Sequence, residues 1–143
     1  MAPLLPIAWL LVQWSLPAPP LPSWPIDEEV VGASERLEQA TGWRLPEGAI
    51  VVYEEEYRGA FDWIVSLPEG FEGTTMCDGD LKWVDAPTYQ PGRELVERYL
   101  SVRLPEQEVS TADAIGKIDG RSVRVLVIKL DPRQCVWIQF FTK

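Results

Sequence analysis

Three aspartates near the middle of the chain come closest to the composition of a cation site. Asp78 and Asp80 flank Gly79, and Asp85 follows shortly after them. Carboxylates at alternating positions are typical of calcium loops, which also need a central glycine and a terminal glutamate at fixed spacing. Both are missing at that spacing. The segment therefore predicts a solvated turn, and we expect no metal ion and no cofactor.

A run of three acids follows the apolar stretch that ends at Tyr53: Glu54, Glu55 and Glu56. Charged side chains on an exposed strand keep it from pairing with other chains. Acidic side chains also attract a basic partner and increase the rate of association. The sequence favours the first interpretation and leaves the second open, as an interaction surface.

The tryptophans divide into two groups by their surroundings. Trp63 and Trp137 lie in apolar, strand-like stretches and are expected in the core. Trp43 follows a predicted helix end, and Trp83 lies in a predicted loop. Because tryptophan rings often anchor interfaces, the sequence offers Trp43 and Trp83 as candidate exposed anchors.

Cys77 and Cys135 are the only cysteines. A bridge between them would close a long segment and stabilise the fold by about 4 kcal/mol on the chain-entropy model. An even pair in an exported chain is typical of a disulfide. The alternative is two separate buried thiols, a common state of cysteine.

The chain contains no histidine. This excludes Ser-His-Asp and Cys-His nucleophilic sites, histidine-ligated zinc and histidine general bases. Neither of the usual glycine-rich phosphate-binding patterns is present. The composition therefore predicts a protein that is not an enzyme, and a hydrolase using only Asp78, Asp80 and Asp85 is the remaining enzymatic alternative.

The charge of the chain restricts its partners. There are 22 acidic and 13 basic residues, which gives a net charge of −9. Such a chain repels nucleic-acid backbones and anionic lipid surfaces. A basic protein is the partner that this charge favours, and the sequence makes no prediction of the oligomeric state.

The first 25 residues are apolar, rich in proline and free of charge. The run from Ile7 to Leu16 has the length of the apolar core of a secretory signal, typically 7–15 residues, and is shorter than the ~20 that span a bilayer. No basic residue precedes it, unlike a standard signal, and an extended Pro17–Pro22 tether follows. We expect residues 1–25 to lie outside the fold and to direct export or membrane tethering. The alternative is a cytoplasmic protein.

Hydrophobic periodicity predicts the elements of residues 26–143. Two helices, two hairpins, a long loop and a final strand are expected. The first half comprises a helix over 26–41, a strand from Ala49, a turn at 58–60 and a strand over 61–67. A loop over 71–89 with one short strand at 81–84 follows, and then a helix over 91–102. The last strands are expected over 111–118, 123–130 and 135–141, and a turn at Asp119-Gly120 joins the strands over 111–118 and 123–130.

These elements predict an α+β domain of about five antiparallel strands in one sheet, with two helices on one face in the order α-β-β-loop-α-β-β-β. The leading functional interpretation is a small acidic, non-enzymatic domain of the bacterial cell envelope that acts by protein–protein binding. An inhibitor or immunity protein against a basic toxin is an alternative, because acidic surfaces speed association with basic targets.

Overall fold

A single antiparallel sheet of six strands organises the protein in the computed structural model, which describes residues 23–77, 80–86, 94, 97–98, 103–104 and 111–142. The strand order is β1-β2-β6-β5-β4-β3. The strands are β1 Ile50–Tyr57, β2 Ala60–Ser66, β3 Asp80–Ala86, β4 Thr111–Ile118, β5 Arg121–Ile128 and β6 Cys135–Phe141. The predicted α+β class is thus confirmed, with six strands rather than five.

Two tight hairpins fix the register of the sheet. Arg58 and Gly59 have φ values of 48° and 80°, and Asp119 and Gly120 have 49° and 78°. Positive φ at both central residues is the property of the two-residue turn that matches the twist of adjoining strands. Both predicted hairpins are therefore confirmed.

The first helix is shorter than predicted. It spans Ala33–Thr41, called α1, and Gly32 before it has a left-handed φ of 76°. The preceding residues 25–30 are not helical, and the N–H of Val30 donates to the carbonyl of Val51 at 2.8 Å. Ile26 packs on the opposite side of the sheet from α1, so the predicted continuous helical face from Ile26 was wrong.

The predicted long loop over 71–89 contains regular structure. A short helix, α2, spans Gly73–Met76, and β3 follows. Gly73 lies against the sheet so closely that an added Cβ would be 2.7 Å from Cγ1 of Val127 and 2.9 Å from Cγ2 of Val136. Its N–H donates to Oε1 of Gln134 at 2.8 Å. Glycine here acts by permitting close packing, which periodicity does not reveal.

The predicted helix over 91–102 lies mostly outside the described residues. Glu94, Glu97 and Arg98 are described and are helical. The backbone N–H of Leu104 donates to Oε1 of Glu97 at 3.2 Å. Leu104 itself is fully buried, so this part of the chain is joined to the core.

One face of the sheet, the first face, is apolar across its width. Buried side chains from β1, β2, β4, β5 and β6 pack there with α1, α2 and Trp43, and half-buried Leu81 and Trp83 extend the contact to β3. The buried members of this first-face cluster are Ala33, Leu37, Trp43, Val51, Trp63, Val65, Leu67, Met76, Cys77, Ala112, Val123, Val125, Val127, Val136, Ile138 and Phe140.

The opposite, second face carries a smaller cluster near one end of the strands. Trp24 and Leu104 cover it, with partial burial of Ile26, Val52 and Tyr53. The buried members of this second-face cluster are Trp24, Ile64, Leu104, Leu126, Ile128, Leu130, Cys135 and Trp137. Central strands β2, β5 and β6 therefore bury side chains on both faces.

Trp24 places the start of the fold before the predicted boundary at residue 26. Its side chain is buried, and its indole N–H donates to the carbonyl of Arg133 at 2.8 Å. Its backbone N–H donates to the carbonyl of Arg103 at 3.1 Å. Residues 1–22 lie outside the described residues. Within the described part of the chain, every helix is too short or too polar to cross a membrane.

Candidate interaction surface

A row of mostly polar side chains crosses the second face beyond the covered cluster. The strand register places one residue of each strand side by side in this polar row. From β1 across to β3 its members are Glu55, Asp62, Gln139, Arg124, Ile115 and Lys82. Because side chains alternate along a strand, all six belong to the same face as Ile64 and Trp137.

Charged groups in the middle of this row are only partly hydrated. The guanidinium of Arg124 lies 3.4 Å from Oδ2 of Asp113, on the neighbouring strand. Burial, and next the negative charge of Glu55, raise the pKa of the Asp62 carboxyl, while a hydrogen bond with Gln139 acts in the opposite direction. Among the described residues, Oδ1 of Asp62 is buried and has no hydrogen-bond partner. Burying such groups on a sheet face is unfavourable unless they gain partners.

Large apolar side chains lie within and beside the polar row. Tyr57 is 60% exposed, Val84 59%, Ile115 65% and Phe141 37%. Register and alternation place all four on the second face. We call the polar row together with Tyr57, Val84, Asp113 and Phe141 the open half. A cavity of about 440 Å³ lies here, lined in the described part of the chain by Lys82, Val84, Asp113, Ala114 and Ile115.

The predicted acidic surface is divided between the two faces. β1 is an edge strand, as expected, and Glu55 and Glu56 are exposed. Glu54 is not an exposed acid. It accepts a hydrogen bond from Nη2 of Arg36 at 2.6 Å and another from the Trp63 indole N–H at 2.9 Å. The hydrogen bond from Arg36 lowers the pKa of Glu54. Glu54 therefore links α1 to the first face rather than facing a partner.

The prediction of Trp43 as an exposed anchor is wrong, and so is the prediction that Trp83 lies in a loop. Trp43 is 3% exposed and belongs to the first-face cluster, because the chain turns back onto the sheet after α1. Its N–H donates to Oγ1 of Thr41 at 3.1 Å. Trp83 lies in β3 rather than in a loop, is half-buried, and packs against the same cluster. Neither ring belongs to the open half.

The disulfide between Cys77 and Cys135 is also wrong. Both cysteines are buried and they are not bonded to each other. Cys77 packs in the first-face cluster and Cys135 in the second-face cluster, so the sheet separates them. Burial raises the pKa of the Cys135 thiol, which keeps it protonated and unreactive.

The side chains of the predicted aspartate cluster lie outside the described part of the chain. Asp78 lies outside the described residues, and the side chains of Asp80 and Asp85 in β3 are not described. In the part of the chain that is described, no three acidic or cysteine side chains come together in a way that could hold a metal ion.

Sequence reasoning missed the polar row, although a signal for it exists. Asp62, Arg124 and Gln139 are polar residues that each have an apolar residue on both sides in the sequence. A polar residue at such a position, on the opposite side from the apolar alternation, marks a face that is not fully covered. Three such residues in three strands that become neighbours identify an open surface only once the strand order is known.

No protein-family model matches the chain, and comparison with curated proteins and with solved structures gives no match.

Proposed function

We propose that this protein is a non-enzymatic binding domain that recognises another protein through the open half of its sheet. The observation that carries the proposal is the distribution of exposed apolar side chains. Five large hydrophobic residues are exposed among the described residues, and four of them lie on the open half. Grouped apolar side chains with charged groups among them are typical of protein-binding surfaces, whereas single exposed apolar residues are common everywhere.

The composition of the open half supports a protein partner over a small substrate. Tyr57 and Phe141 offer aromatic rings, and Arg124 offers a partly buried guanidinium; such residues are enriched at energetically important interface positions. The absence of histidine from the chain supports a role without catalysis. We place this activity in the bacterial cell envelope because the apolar, proline-rich residues 1–25 favour export or tethering.

Site-specific photocrosslinking tests this function directly. A benzophenone amino acid at position 115 or 141 of the full chain should form adducts with a protein partner in cells. Position 31 is the matched control, because Val31 is 90% exposed and lies outside the open half. Equal adduct formation at position 31, or none at 115 and 141, would contradict the proposal.

Inhibition of a basic toxin remains a second candidate, supported by the exposed acids of β1. Glu55 and Glu56 project from opposite sides of an edge strand, and Asp62 lies beside Glu55. Binding of this kind depends steeply on salt, because exposed charges are screened over about 8 Å at physiological ionic strength. An association rate that does not change between low and high salt would exclude the inhibitor hypothesis and leave the apolar interface in place.

A further inference from the structure

One corner of the open half combines two acids with two exposed aromatic rings. The strand register places Glu55 directly opposite Asp62. It also places Tyr57 opposite Ala60, which in turn lies opposite Phe141. Because residues two apart along a strand share a face, all five lie on the second face. We call these five residues the acidic corner.

The two carboxylates of the acidic corner have no cation beside them among the described residues. Neither Glu55 nor Asp62 forms an ion pair there, and Oδ1 of Asp62 is buried without a hydrogen-bond partner. The hydroxyl of Tyr53 donates to Oε2 of Glu55, but this neutral partner does not compensate the charge. Arg124, two strands from Asp62 in the same row, is paired with Asp113. A cation from outside would relieve the repulsion between the two acids and satisfy the buried oxygen.

The aromatic rings complete a place for a cation above Ala60. Neighbouring strands lie about 4.8 Å apart, so a cation above Ala60 would be about 5 Å from the strand positions of both Tyr57 and Phe141. This is within the ~6 Å at which a cation is attracted to an aromatic face. The Tyr57 ring already makes such a contact, since Cζ of Arg58 lies 5.2 Å from its centroid. Because Ala60 carries only a methyl group, it does not itself fill the space between the two larger side chains.

A guanidinium group fits the acidic corner better than an ammonium group. It is flat and weakly hydrated, so it stacks on aromatic rings, whereas the ammonium of lysine is a compact and strongly hydrated charge. Its N–H groups form a fork that pairs with carboxylate oxygens. The two acids lie one row of side chains, about 7 Å, from Ala60 along the strands. A guanidinium that enters above Ala60 can therefore contact a ring and a carboxylate together.

We infer that the acidic corner receives an arginine side chain of the protein partner, which lies between Tyr57 and Phe141 and pairs with Asp62 and Glu55. The inference rests on the proposed function, since it names the chemical group by which the partner is held on the same surface. It assigns recognition to one side chain and predicts discrimination between arginine and lysine. The net charge of −9 favours the approach of a partner that presents such a group.

NMR titration of the full chain with the amide of Nα-acetylarginine tests the acidic corner. The amide signals of residues 55, 57, 60, 62 and 141 should shift along a saturable curve. The dissociation constant is expected on the order of 1 mM, because one small ligand at an exposed site binds weakly. The corresponding lysine compound should bind at least about threefold more weakly. The citrulline compound has the same shape without the charge and should produce no saturable shift.

Substitutions assign this binding to the acidic corner. Asp62→Asn and Phe141→Leu should each weaken arginine binding about threefold to fivefold, through the loss of one ion pair or one cation–π contact. Glu56→Gln is the matched control: it removes one acid from the same sheet edge but on the other face, and should leave binding unchanged. Arg58→Ala should also leave binding unchanged if Arg58 lies outside the space above Ala60. The amide spectrum of each variant shows directly whether it is folded.

Three results would overturn the inference. These are equal binding of the arginine and citrulline compounds, an effect of Glu56→Gln equal to that of Asp62→Asn, or a marked gain of affinity in Arg58→Ala, which would show that the chain's own arginine fills the corner. The photocrosslinking experiment separates this inference from the proposed function. Adducts at position 115 without arginine-specific shifts would reject the acidic corner and keep the proposed function. Arginine-specific shifts without adducts at 115 and 141 would reject the proposed function and assign the corner to a free guanidinium compound instead of a protein.

Discussion

The two faces of the sheet differ in how completely they are covered. The first face carries apolar side chains from all six strands and is covered by α1, α2 and Trp43. The second face is apolar only beside Trp24 and Leu104, and beyond them it becomes the polar row. Because β2, β5 and β6 contribute to both faces, alternate residues of one strand belong to the first-face cluster and to the proposed binding surface. Coverage therefore differs between the two faces and, on the second face, between the two ends of the strands, rather than between segments of the chain.

The largest contrast is expected between two aromatic residues on opposite faces. Trp63 is fully buried and stacks on Phe61 with ring centroids 5.0 Å apart. Trp63→Ala should reduce the free energy of unfolding by about 3–5 kcal/mol through cavity formation and lost contacts. Tyr57→Ala, on the open half, should change it by less than about 0.5 kcal/mol. Urea unfolding followed by far-UV circular dichroism measures both.

Trp63→Phe keeps this contrast measurable if the alanine variant does not fold, because it removes less volume from the same site. If Tyr57→Ala reduced the free energy of unfolding as much as Trp63→Phe does, the open half would also support the fold. The proposed division between the two faces would then be wrong.

The next effect concerns the close contact between α2 and the first face. Gly73→Ala should cost about 1–3 kcal/mol, because its methyl group would overlap the stiff valine side chains at 127 and 136. Gly70→Ala is the control: Gly70 has a φ of 81° and no atom near an added Cβ, so only backbone strain of about 1 kcal/mol applies. If thermal or urea unfolding showed equal losses of stability for Gly73→Ala and Gly70→Ala, α2 would be able to move away from the sheet at little cost in free energy.

A loss of stability of similar size is expected at the link between α1 and the first face. Glu54→Ala removes the acceptor of the Trp63 indole N–H, and an unsatisfied buried donor costs about 1–3 kcal/mol. Glu54→Gln should cost less, because the amide oxygen can still accept that bond. Comparison of the two variants in urea unfolding separates the contribution of the indole bond from that of the charge.

The pH dependence of Glu54 sharpens this prediction. In the folded state the pKa of Glu54 lies below its ordinary value of 4.5, chiefly because of the hydrogen bond from Arg36. The resulting stability is present above about pH 4.5 and is lost as the pH falls through the folded pKa. The difference between the original protein and Glu54→Gln should therefore shrink in acid. A difference that stays constant from neutral to acidic pH would assign the effect to packing instead.

The smallest predicted effect has the opposite sign and lies on the open half. The pKa of Asp62 is raised from 3.8, mainly by burial, so ionisation there opposes folding as the pH rises above about 3.8. Asp62→Asn should raise the free energy of unfolding at neutral pH by less than about 1 kcal/mol, since the site is partly hydrated. This gain in the free energy of unfolding should disappear below about pH 3.8, where the carboxyl is protonated in both states. A loss of stability at neutral pH would mean that the carboxylate has a favourable partner within the fold.

The regular strands were predictable from the sequence because local patterns determine them. The predicted bounds of β4 and β6 match the structure, and the Asp119-Gly120 turn identified the hairpin between β4 and β5. The errors arose where long-range packing overrides the local pattern. Gly32 interrupts the helical pattern predicted over 26–41, so the helix begins only after it. Gly73 permits a helix to pack on the sheet in a segment that has no hydrophobic periodicity.

The candidate surface was largely beyond sequence reasoning for a different reason. The strand order brings β6 between β2 and β5, and only this order aligns Asp62, Gln139 and Arg124 in one row. Glu55 was identified from its charge, but Trp43 and Trp83 were chosen from predicted helix and loop boundaries. The burial of these two side chains depends on how the chain returns to the sheet, and no local sequence pattern indicates that path.

The central position of β6 has a consequence for the synthesis of the chain. Residues 135–141 pair with residues 60–66 on one side and 123–128 on the other, so the sheet cannot close until they have left the ribosome. Before that moment the strand pairings available to the nascent chain form two separate units, the β1–β2 hairpin and the β3–β4–β5 group. Pairings between residues so distant in sequence form slowly. A ribosome that stalls before codon 135 would thus expose two strand edges to chaperones or to other nascent chains.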